Sequence, residues 1–217
     1  LLCSLSAFPQ EIAELQYYRS KMIDIGGLRV RANRLSYVGE LGYELHHPVA
    51  YQRFLYERLM ERGSDYGLVD FGYRALDSMR LEKAYRLWGV DISADYTPLD
   101  AGMERFVAFD KGDFIGRDAL LRQKEVGPEL GLACLVIDSK EADPHGYEPV
   151  RAGDELIGYV AAGGYGHVVQ KTIALAYIPV AYLKPGTRLE VEMLGDRCPA
   201  EVVAQPIYDP ENQRLLS

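Results

Sequence analysis

Beyond Gly131 the sequence becomes a series of short apolar runs separated by Gly, Pro and Asp turns. These runs cover residues 132–137, 156–161, 172–177, 188–194 and 200–204. Short strands at regular spacing, with turn residues between them, are typical of small barrels and sandwiches. A chain that ends in this pattern must bury a sheet against itself, so we expect a small C-terminal β-barrel.

The part before this series alternates strands with amphipathic helices. Residues 21–25 and 28–32 predict two strands joined by a tight turn at Gly26 and Gly27. Helices are expected at 9–15, 49–61 and 72–84 and in a run ending near 126, with a buried strand at 68–69 and another strand at 103–109. Helices packed against an antiparallel sheet form an α+β fold. We place the domain boundary near Lys111, which divides the chain into residues 1–110 and 111–217.

The composition argues against several classes of protein. The 217 residues carry a net charge of −8 with a pI of about 5.1 and contain no Lys/Arg run, so we expect no nucleic-acid partner. No apolar run approaches the ~20 residues of a membrane span, so we expect no membrane partner. Cys3, Cys134 and Cys198 lack metal-ligand spacing and are odd in number, which predicts unpaired thiols in a reducing compartment. The chain begins with Leu1 rather than Met, so we expect a piece of a longer protein.

The histidines do not predict a metal site. His46 and His47 are neighbours on an expected strand, where adjacent side chains point to opposite faces. His145 and His167 lie in expected loops without Cys or carboxylate partners at ligand spacing.

The stretch from Arg34 to Leu45 interleaves aromatic and acidic residues with two glycines. We interpret it as a strand-turn-strand in which Gly39 and Gly42 allow a close approach of the backbone. A carboxylate on Glu40 can accept two parallel hydrogen bonds from a flat donor edge such as an amino-pyrimidine, with Tyr37 or Tyr43 against the ring. The alternative is a glycine-rich hairpin with a solvated Glu40 and two packing tyrosines.

The pattern Arg-x-Ser-Tyr-x-Gly-Glu-x-Gly-Tyr-Glu, which begins at Arg34, resembles the folate-site motif of the glycine-cleavage T-protein (aminomethyltransferase) family. That family includes the C-terminal halves of dimethylglycine and sarcosine dehydrogenases and oxidases. The resemblance implies that Glu40 holds the pterin edge of tetrahydrofolate and that Tyr37 and Tyr43 flank it. Tyr73, at the start of the following helix, is a weaker candidate.

Further motifs carry the resemblance along nearly the whole chain in the family's order. They are Trp88 to Ile92, Thr97-Pro98, Phe114 to Arg117, Gly163 to His167 and Gln170 to Pro179. Leu76 stands where T-proteins proper usually have arginine, and Gly102 to Phe106 is closer to the dehydrogenase-linked branch. The segment of the family that carries an aspartate near the reacting folate nitrogen has no counterpart here, so we assign no catalytic residue.

The resemblance implies tetrahydrofolate-dependent one-carbon transfer from an amine such as glycine, sarcosine or dimethylglycine. The implied partners are folate, a small amine and a flavin domain or subunit elsewhere, because this chain has no Gly-x-Gly-x-x-Gly fingerprint. The implied location is the cytoplasm, or the mitochondrial matrix in a eukaryote. The alternative is a non-catalytic member that binds folate as a regulator or scaffold. The iron-sulfur-assembly branch carries a cysteine motif where this chain has Asp110 to Arg117 without cysteine, which argues against that branch.

Several other charged residues have both a structural and a functional interpretation. Asp91, Asp95 and Asp100 cluster in one expected loop, where aspartate favours turns, although a substrate-side acid is the alternative. Arg80 is placed to bind a carboxylate from elsewhere, for which the tail of folate is one option. Arg117 precedes a helix and is expected to be a structural bridge between domains.

Overall fold

In the computed structural model, which describes residues 1–139 and 142–217, the chain divides into two units. Unit 1 comprises Leu1–Leu76 and Glu211–Ser217, and unit 2 comprises Asp77–Pro210. Helices and antiparallel sheets occur together with a closed barrel, so the expected α+β fold with a C-terminal β-barrel is confirmed.

Unit 1 is a three-stranded antiparallel sheet with helices packed on it. Its strands, in spatial order, are β1 (Ser20–Ile25), β2 (Leu28–Asn33) and β3 (Glu44–His46). Its helices are α1 (Leu2–Leu5), α2 (Pro9–Ala13), α3 (Gln52–Gly63) and the start of α4 (Tyr73–Glu82), and α6 (Gln213–Leu216) returns to it. The expected turn forms at Gly26 and Gly27, which both have positive φ angles.

The core of unit 1 follows the period-two pattern of its strands. Ile23 and Ile25 of β1 and Val30 and Ala32 of β2 are buried on one face of the sheet. Leu55 covers this face from α3, whose apolar residues recur at helical spacing. One face of the sheet is therefore buried in the core of unit 1, which is common for antiparallel sheets.

Two strands expected in the first half of the chain are absent. Leu68 and Val69 lie in an irregular segment, and Val69 is 73% exposed, so the expectation of a buried strand was wrong. The described part of the chain offers no neighbouring strand there to supply a ladder of hydrogen bonds. Residues 103–109 contain a short 3-10 helix, Glu104–Phe106, instead of a strand.

Unit 2 contains α5 (Arg117–Val126) and is built on a closed barrel of six antiparallel strands. They are β4 (Leu130–Ile137), β5 (Pro149–Ala152), β6 (Glu155–Gly166), β7 (Lys171–Pro179), β8 (Arg188–Met193) and β9 (Asp196–Val203), in the spatial order β4-β7-β6-β5-β8-β9. Five of these strands overlap the expected runs. The sixth, β5, is four residues long and begins with proline, so its pattern is too short to stand out.

Alternation along β4 and β7 divides their side chains between two cores. Leu135 and Ala176 belong to the cluster inside the barrel. Cys134 and Leu175 point the other way and pack against Leu81 of α4. The central barrel strands are therefore apolar on both faces, which explains their nearly continuous apolar sequence.

The end of α4 is fixed to the barrel by polar contacts as well. Glu82 is buried, and its Oε1 accepts hydrogen bonds from the backbone N–H groups of Val168 and Val169 at 2.7 and 3.0 Å. Ser78 Oγ donates to the carbonyl of Tyr165 at 2.7 Å. The turn between β6 and β7 is thereby held to the helix by groups that a burial pattern alone does not reveal.

Arg80 is a charged residue with only 1% of its surface exposed. It binds Asp77 at 2.6 Å, the carbonyl of Tyr85 at 3.1 Å and the carboxylate of Asp91. Asp91 also accepts the N–H of Leu87 at 2.8 Å. These contacts close the 87–92 loop around a buried ion pair.

Burial raises the pKa of Asp91, and the charge of Arg80 and the N–H of Leu87 only partly oppose this effect. One carboxylate oxygen, Oδ1, is buried without a hydrogen-bond partner among the described residues. The cost of removing the carboxylate from water therefore outweighs the attraction of its partner.

We predict that Arg80→Met destabilises the chain by about 3–5 kcal/mol, because it leaves Asp91 as an uncompensated buried charge. Arg53→Met is the matched control, because the Arg53–Glu57 pair is exposed to solvent and its loss should change stability little. Urea unfolding of the two variants gives the comparison. Equal losses would show that the buried pair does not carry this part of the fold.

The Arg80→Met effect should also depend on pH. Asp91 already has a folded-state pKa above its ordinary value of 3.8, and loss of Arg80 raises it further. The unfolded state then loses its proton first, so the variant loses stability as pH rises from about 4 towards 7. The stability difference from the wild type should therefore be smaller near the lower pH, as measured by urea unfolding at both.

We predict that Cys134 reacts with alkylating reagents only when the chain unfolds. Cys134 is buried, and burial raises its pKa to about 12, whereas Cys3 is exposed. Because the thiolate is the reactive form, iodoacetamide near pH ~8 should label Cys3 first. Mass spectrometry of the native and guanidinium-unfolded chain tests this order, and rapid native labelling of Cys134 would contradict the burial of β4.

Candidate functional site

The motif loop, residues 34–43, connects two paired strands of unit 1. β2 and β3 are antiparallel, with Asn33 opposite Glu44, so the loop joins two paired strands. The strand-turn-strand expected within Arg34 to Leu45 was wrong for most of the motif, which is irregular up to Tyr43 and enters a strand only at Glu44. Gly39 has a φ of +79°, which disfavours any side chain. A Cβ on Gly42 would lie 2.8 Å from the carbonyl oxygen of Leu35. Gly42 therefore permits the close backbone approach that the sequence predicted, and Gly39 permits a left-handed backbone conformation.

Arg34, the first residue of the motif, holds the loop closed. It is 5% exposed, and its guanidinium donates to the carbonyl of Gly42 at 3.4 Å and to that of Ser217 at 3.0 Å. The guanidinium also lies over the ring of Tyr43, 5.2 Å from its centroid. The sequence reasoning gave this residue no role, although its position at the head of the motif was a signal.

Glu40 lies directly after Gly39 on the outer part of the loop. Its side chain is 40% exposed, and its Oε2 lies 3.8 Å from Nη1 of Arg214 in α6. Arg214 is 67% exposed, so this ion pair is formed at the surface of unit 1. The side chain of Glu40 is therefore half-buried. Its exposure lies between that of a fully solvated carboxylate and that of an enclosed one, the two alternatives that the sequence left open.

The three candidate tyrosines have different environments. Tyr43 is half-buried, and its hydroxyl donates to the carbonyl of Ile12 at 3.2 Å. Tyr37 is also half-buried, and Tyr73 is 66% exposed at the start of α4. Neither Tyr37 nor Tyr43 lies on a regular strand, because β2 ends at Asn33 and β3 begins at Glu44.

A cavity of about 640 Å³ lies beside the motif loop within unit 1. The loop contributes Arg34, Leu41 and Tyr43 to its lining, and Ile12 and Tyr17 lie on another wall. Glu40, Tyr37 and Tyr73 are not among its lining residues. The cavity thus combines apolar walls with phenol rings and one guanidinium, a combination that suits a flat ligand with polar edges.

The other charged candidates make contacts within unit 2. Arg80 binds carboxylates, as expected, but they belong to Asp77 and Asp91, so the option of the folate tail was wrong. Asp95 accepts a hydrogen bond from the hydroxyl of Ser93. Asp100 accepts two hydrogen bonds from Thr97 and one from Gln123. The Nε of Arg117 donates to the carbonyl of Phe109. All of these contacts shape loops or fix helix ends.

Two features are absent from residues 1–139 and 142–217. No group of three or more His, Cys, Asp or Glu side chains there is arranged to hold a metal ion. No helix in the same ranges has the length and apolar character to span a membrane.

Comparison with known proteins gives consistent matches along the chain. The family model "GCVT N-terminal domain" matches residues 1–111, and "Glycine cleavage T-protein C-terminal barrel domain" matches residues 131–209. Mouse mitochondrial dimethylglycine dehydrogenase is 39% identical over 203 residues, which are 92% of this chain and 23% of the relative. An aminomethyltransferase of Thermoanaerobacter pseudethanolicus is 36% identical over 199 residues, covering 91% of this chain and 54% of the relative.

A solved structure extends the similarity to the fold. The crystal structure of the glycine cleavage system aminomethyltransferase T from Bartonella henselae matches with a TM-score of 0.83 and 28% sequence identity. The match covers 91% of this chain and 54% of that protein. This chain thus spans about half the length of the aminomethyltransferases and about a quarter of the dimethylglycine dehydrogenase. With both family models matching in order and the barrel in place, the chain belongs to the glycine-cleavage T-protein family.

Proposed function

We propose that this chain supplies the tetrahydrofolate-binding region of a protein that transfers a one-carbon unit from an amine. In this proposal residues 1–110 are the folate-binding region and residues 111–217 are the C-terminal barrel domain. The observation that carries it is Glu40, a half-exposed carboxylate on a glycine-shaped loop beside a cavity. Relatives named aminomethyltransferase, dimethylglycine dehydrogenase and sarcosine dehydrogenase support the reaction class.

Glu40 has the chemistry needed to hold a pterin. The amino-pyrimidine edge of a pterin presents two parallel N–H donors, which match the two oxygens of a carboxylate. The ion pair with Arg214 is long and exposed, so it should contribute no more than about 1 kcal/mol. A ligand can therefore replace or share this pairing at small cost.

The tyrosines and the cavity would hold the rest of the cofactor. Tyr43 lines the cavity while its hydroxyl is fixed on Ile12, which presents the ring in one orientation. Tyr37 lies three residues before Glu40 on the same loop, and Tyr73 completes the proposed set at the start of α4. Flat aromatic walls are well suited to a planar ring system.

The chemistry of the transfer belongs to the cofactor, whose nitrogens accept the one-carbon unit when it is bound. The share of this chain is to bind and orient the folate, which lowers the barrier by positioning. The amine is glycine, sarcosine or dimethylglycine in this proposal, and a flavin domain or subunit is a further partner. The proposed location is the cytoplasm, or the mitochondrial matrix in a eukaryote.

We predict that Glu40→Gln weakens binding of a reduced folate by about 1–3 kcal/mol, or roughly 5- to 150-fold. The amide keeps the shape of the side chain but replaces one acceptor with a donor and removes the charge. Titration calorimetry with 5-formyltetrahydrofolate, a stable reduced folate, measures the change.

Glu44→Gln is the matched control for this experiment. Glu44 is an exposed carboxylate in β3, paired with His46 at 3.2 Å, and should leave the affinity unchanged. Glu40→Gln should alter urea unfolding by no more than about 1 kcal/mol, the most that its ion pair with Arg214 contributes, and Glu44→Gln by no more than about 0.5 kcal/mol, because Glu44 is exposed. Equal folate affinities for the wild type and Glu40→Gln would rule out the anchor role.

We predict that the 217-residue chain binds reduced folate without transferring a one-carbon unit. The family's aspartate near the reacting nitrogen lies in a segment that this chain does not match, so the chain can position the cofactor but not complete the reaction. Incubation with tetrahydrofolate and each amine, followed by mass spectrometry for methylenetetrahydrofolate, tests this. A complete gene product that binds folate but forms no product from any amine would favour the regulatory or scaffold alternative.

A further inference from the structure

The short helix α6 lies against the motif loop of unit 1. Leu215 of α6 is 2% exposed, so the helix is anchored among buried residues. The guanidinium of Arg34 donates to the carbonyl of Ser217 at 3.0 Å and ties the end of α6 to the loop. Just before Leu215, Arg214 reaches the proposed folate anchor: its Nη1 lies 3.8 Å from Oε2 of Glu40. The position of Arg214 beside this carboxylate is therefore supported from both ends of the helix turn.

Helix α6 also borders the cavity beside the motif loop. Leu216 and Ser217 of α6 contribute to its lining, and so does Leu41 of the loop. Glu40 directly precedes Leu41, and Arg214 lies two residues before Leu216. The carboxylate and the guanidinium are thus next to wall residues on both the loop and the helix. A planar ligand that Glu40 holds at this edge comes within reach of Arg214.

The recognition edge of a pterin presents three polar groups in a row. The 2-amino group and the N3–H group are donors, and the oxygen at position 4 beside them is an acceptor. An ionised carboxylate can accept hydrogen bonds from the two donors, but it has no donor for the oxygen. A guanidinium has five N–H donors and no acceptor, so it supplies what the carboxylate lacks. A glutamate with an arginine beside it therefore matches the whole edge.

We propose that Arg214 is a specificity-determining residue of the folate site, which donates a hydrogen bond to the 4-oxo group of the pterin while Glu40 binds the two neighbouring donors. This inference deepens the proposed function and rests on it. The 3.8 Å between Nη1 and Oε2 exceeds the usual N–H···O distance of about 3 Å, which leaves this N–H group room to turn towards a ligand oxygen.

A purely structural role for Arg214, as the residue that holds Glu40 in place, is less consistent with the exposure of the pair. The side chain of Arg214 is 67% exposed and that of Glu40 is 40% exposed. Water and salt weaken an ion pair of this kind, so it contributes little to the free chain. A ligand that covers both groups excludes water and strengthens its own hydrogen bonds with them. The arginine therefore has more effect in the complex than in the free chain.

Titration calorimetry of the 217-residue chain with tetrahydrofolate, kept anaerobic, tests the proposal. Arg214→Met should weaken binding about 5- to 20-fold, because methionine keeps an unbranched stem but has no donor. Arg214→Lys retains a charged donor and should keep most of the affinity. The matched control is Arg53→Met, which removes the arginine of another exposed pair of unit 1 and should bind as the wild type does. Circular dichroism should show that all variants fold.

A ligand without the 4-oxo group tests the contact itself. Tetrahydroaminopterin has an amino group at position 4 and no hydrogen on N3, and it otherwise matches tetrahydrofolate. The wild type should prefer tetrahydrofolate, and Arg214→Met should reduce this preference at least about fivefold, because only the 4-oxo ligand loses a hydrogen bond. Competition between the two ligands measures the preference. An unchanged preference in Arg214→Met would overturn the proposal.

Glu40→Gln, titrated in the same way, separates this proposal from the folate proposal. If Glu40→Gln weakens binding and Arg214→Met does not, the anchor remains and the role of Arg214 is wrong. If the wild type does not bind tetrahydrofolate, the proposed function fails together with this inference. In the Glu40→Gln background, Arg214→Met should weaken binding further, because the contact with the 4-oxo group does not need the carboxylate. No further loss there would mean that Arg214 only positions Glu40, which contradicts the proposed contact.

Discussion

The buried ion pair between Arg80 and Asp91 is the constraint on which unit 2 depends most. A guanidinium with 1% of its surface exposed cannot remain charged in a protein interior unless acceptors surround it. Asp77, Tyr85 and Asp91 supply these acceptors from the same helix, from the residues after it and from the following loop. The arginine therefore determines where the chain can go after α4, and the 87–92 loop follows from that requirement.

The polar contacts of α4 change how its sequence is interpreted. The charged residues from Asp77 to Lys83 could belong to a ligand site, but the structure uses them to join helix, loop and barrel turn. Glu82 serves as an acceptor for two backbone N–H groups, and Lys83 donates to the carbonyl of Asp209 at 2.7 Å. Charges that satisfy neighbouring backbone in this way are part of the fold, so their presence in a motif does not by itself indicate a ligand.

Elements whose burial partners lie within the chain were predictable from the sequence. The barrel strands are the clearest case, because a closed sheet buries its own alternating residues and leaves the pattern in the sequence. The error at Leu68 and Val69 has the opposite cause: two apolar neighbours suggested a buried strand, but no strand among the described residues pairs with them, and Val69 is exposed. β5 was missed because four residues carry too little periodicity.

The motif loop was only partly predictable, because local features leave a pattern in the sequence and distant contacts do not. Gly39 and Gly42 have local steric roles, which sequence reasoning can recognise without knowing the fold. The placement of Tyr37 and Tyr43 depended on assuming a regular strand, and the loop does not follow that geometry. The role of Arg34 depends on Ser217, which is distant in sequence, and no local pattern reveals a contact of that kind.

The carboxylates of the chain also separate structural from functional groups. Asp91 and Glu82 are enclosed, and their hydrogen bonds go to groups whose positions define the fold. Glu40 is presented on a loop that Arg34 holds closed, and its pairing with Arg214 is long and solvent-exposed. Replacing Asp91 would disturb the core, whereas Glu40 keeps 40% of its side chain exposed. A carboxylate on a loop that Arg34 holds closed can remain available for binding, which is the physical reason for proposing the folate contact at Glu40.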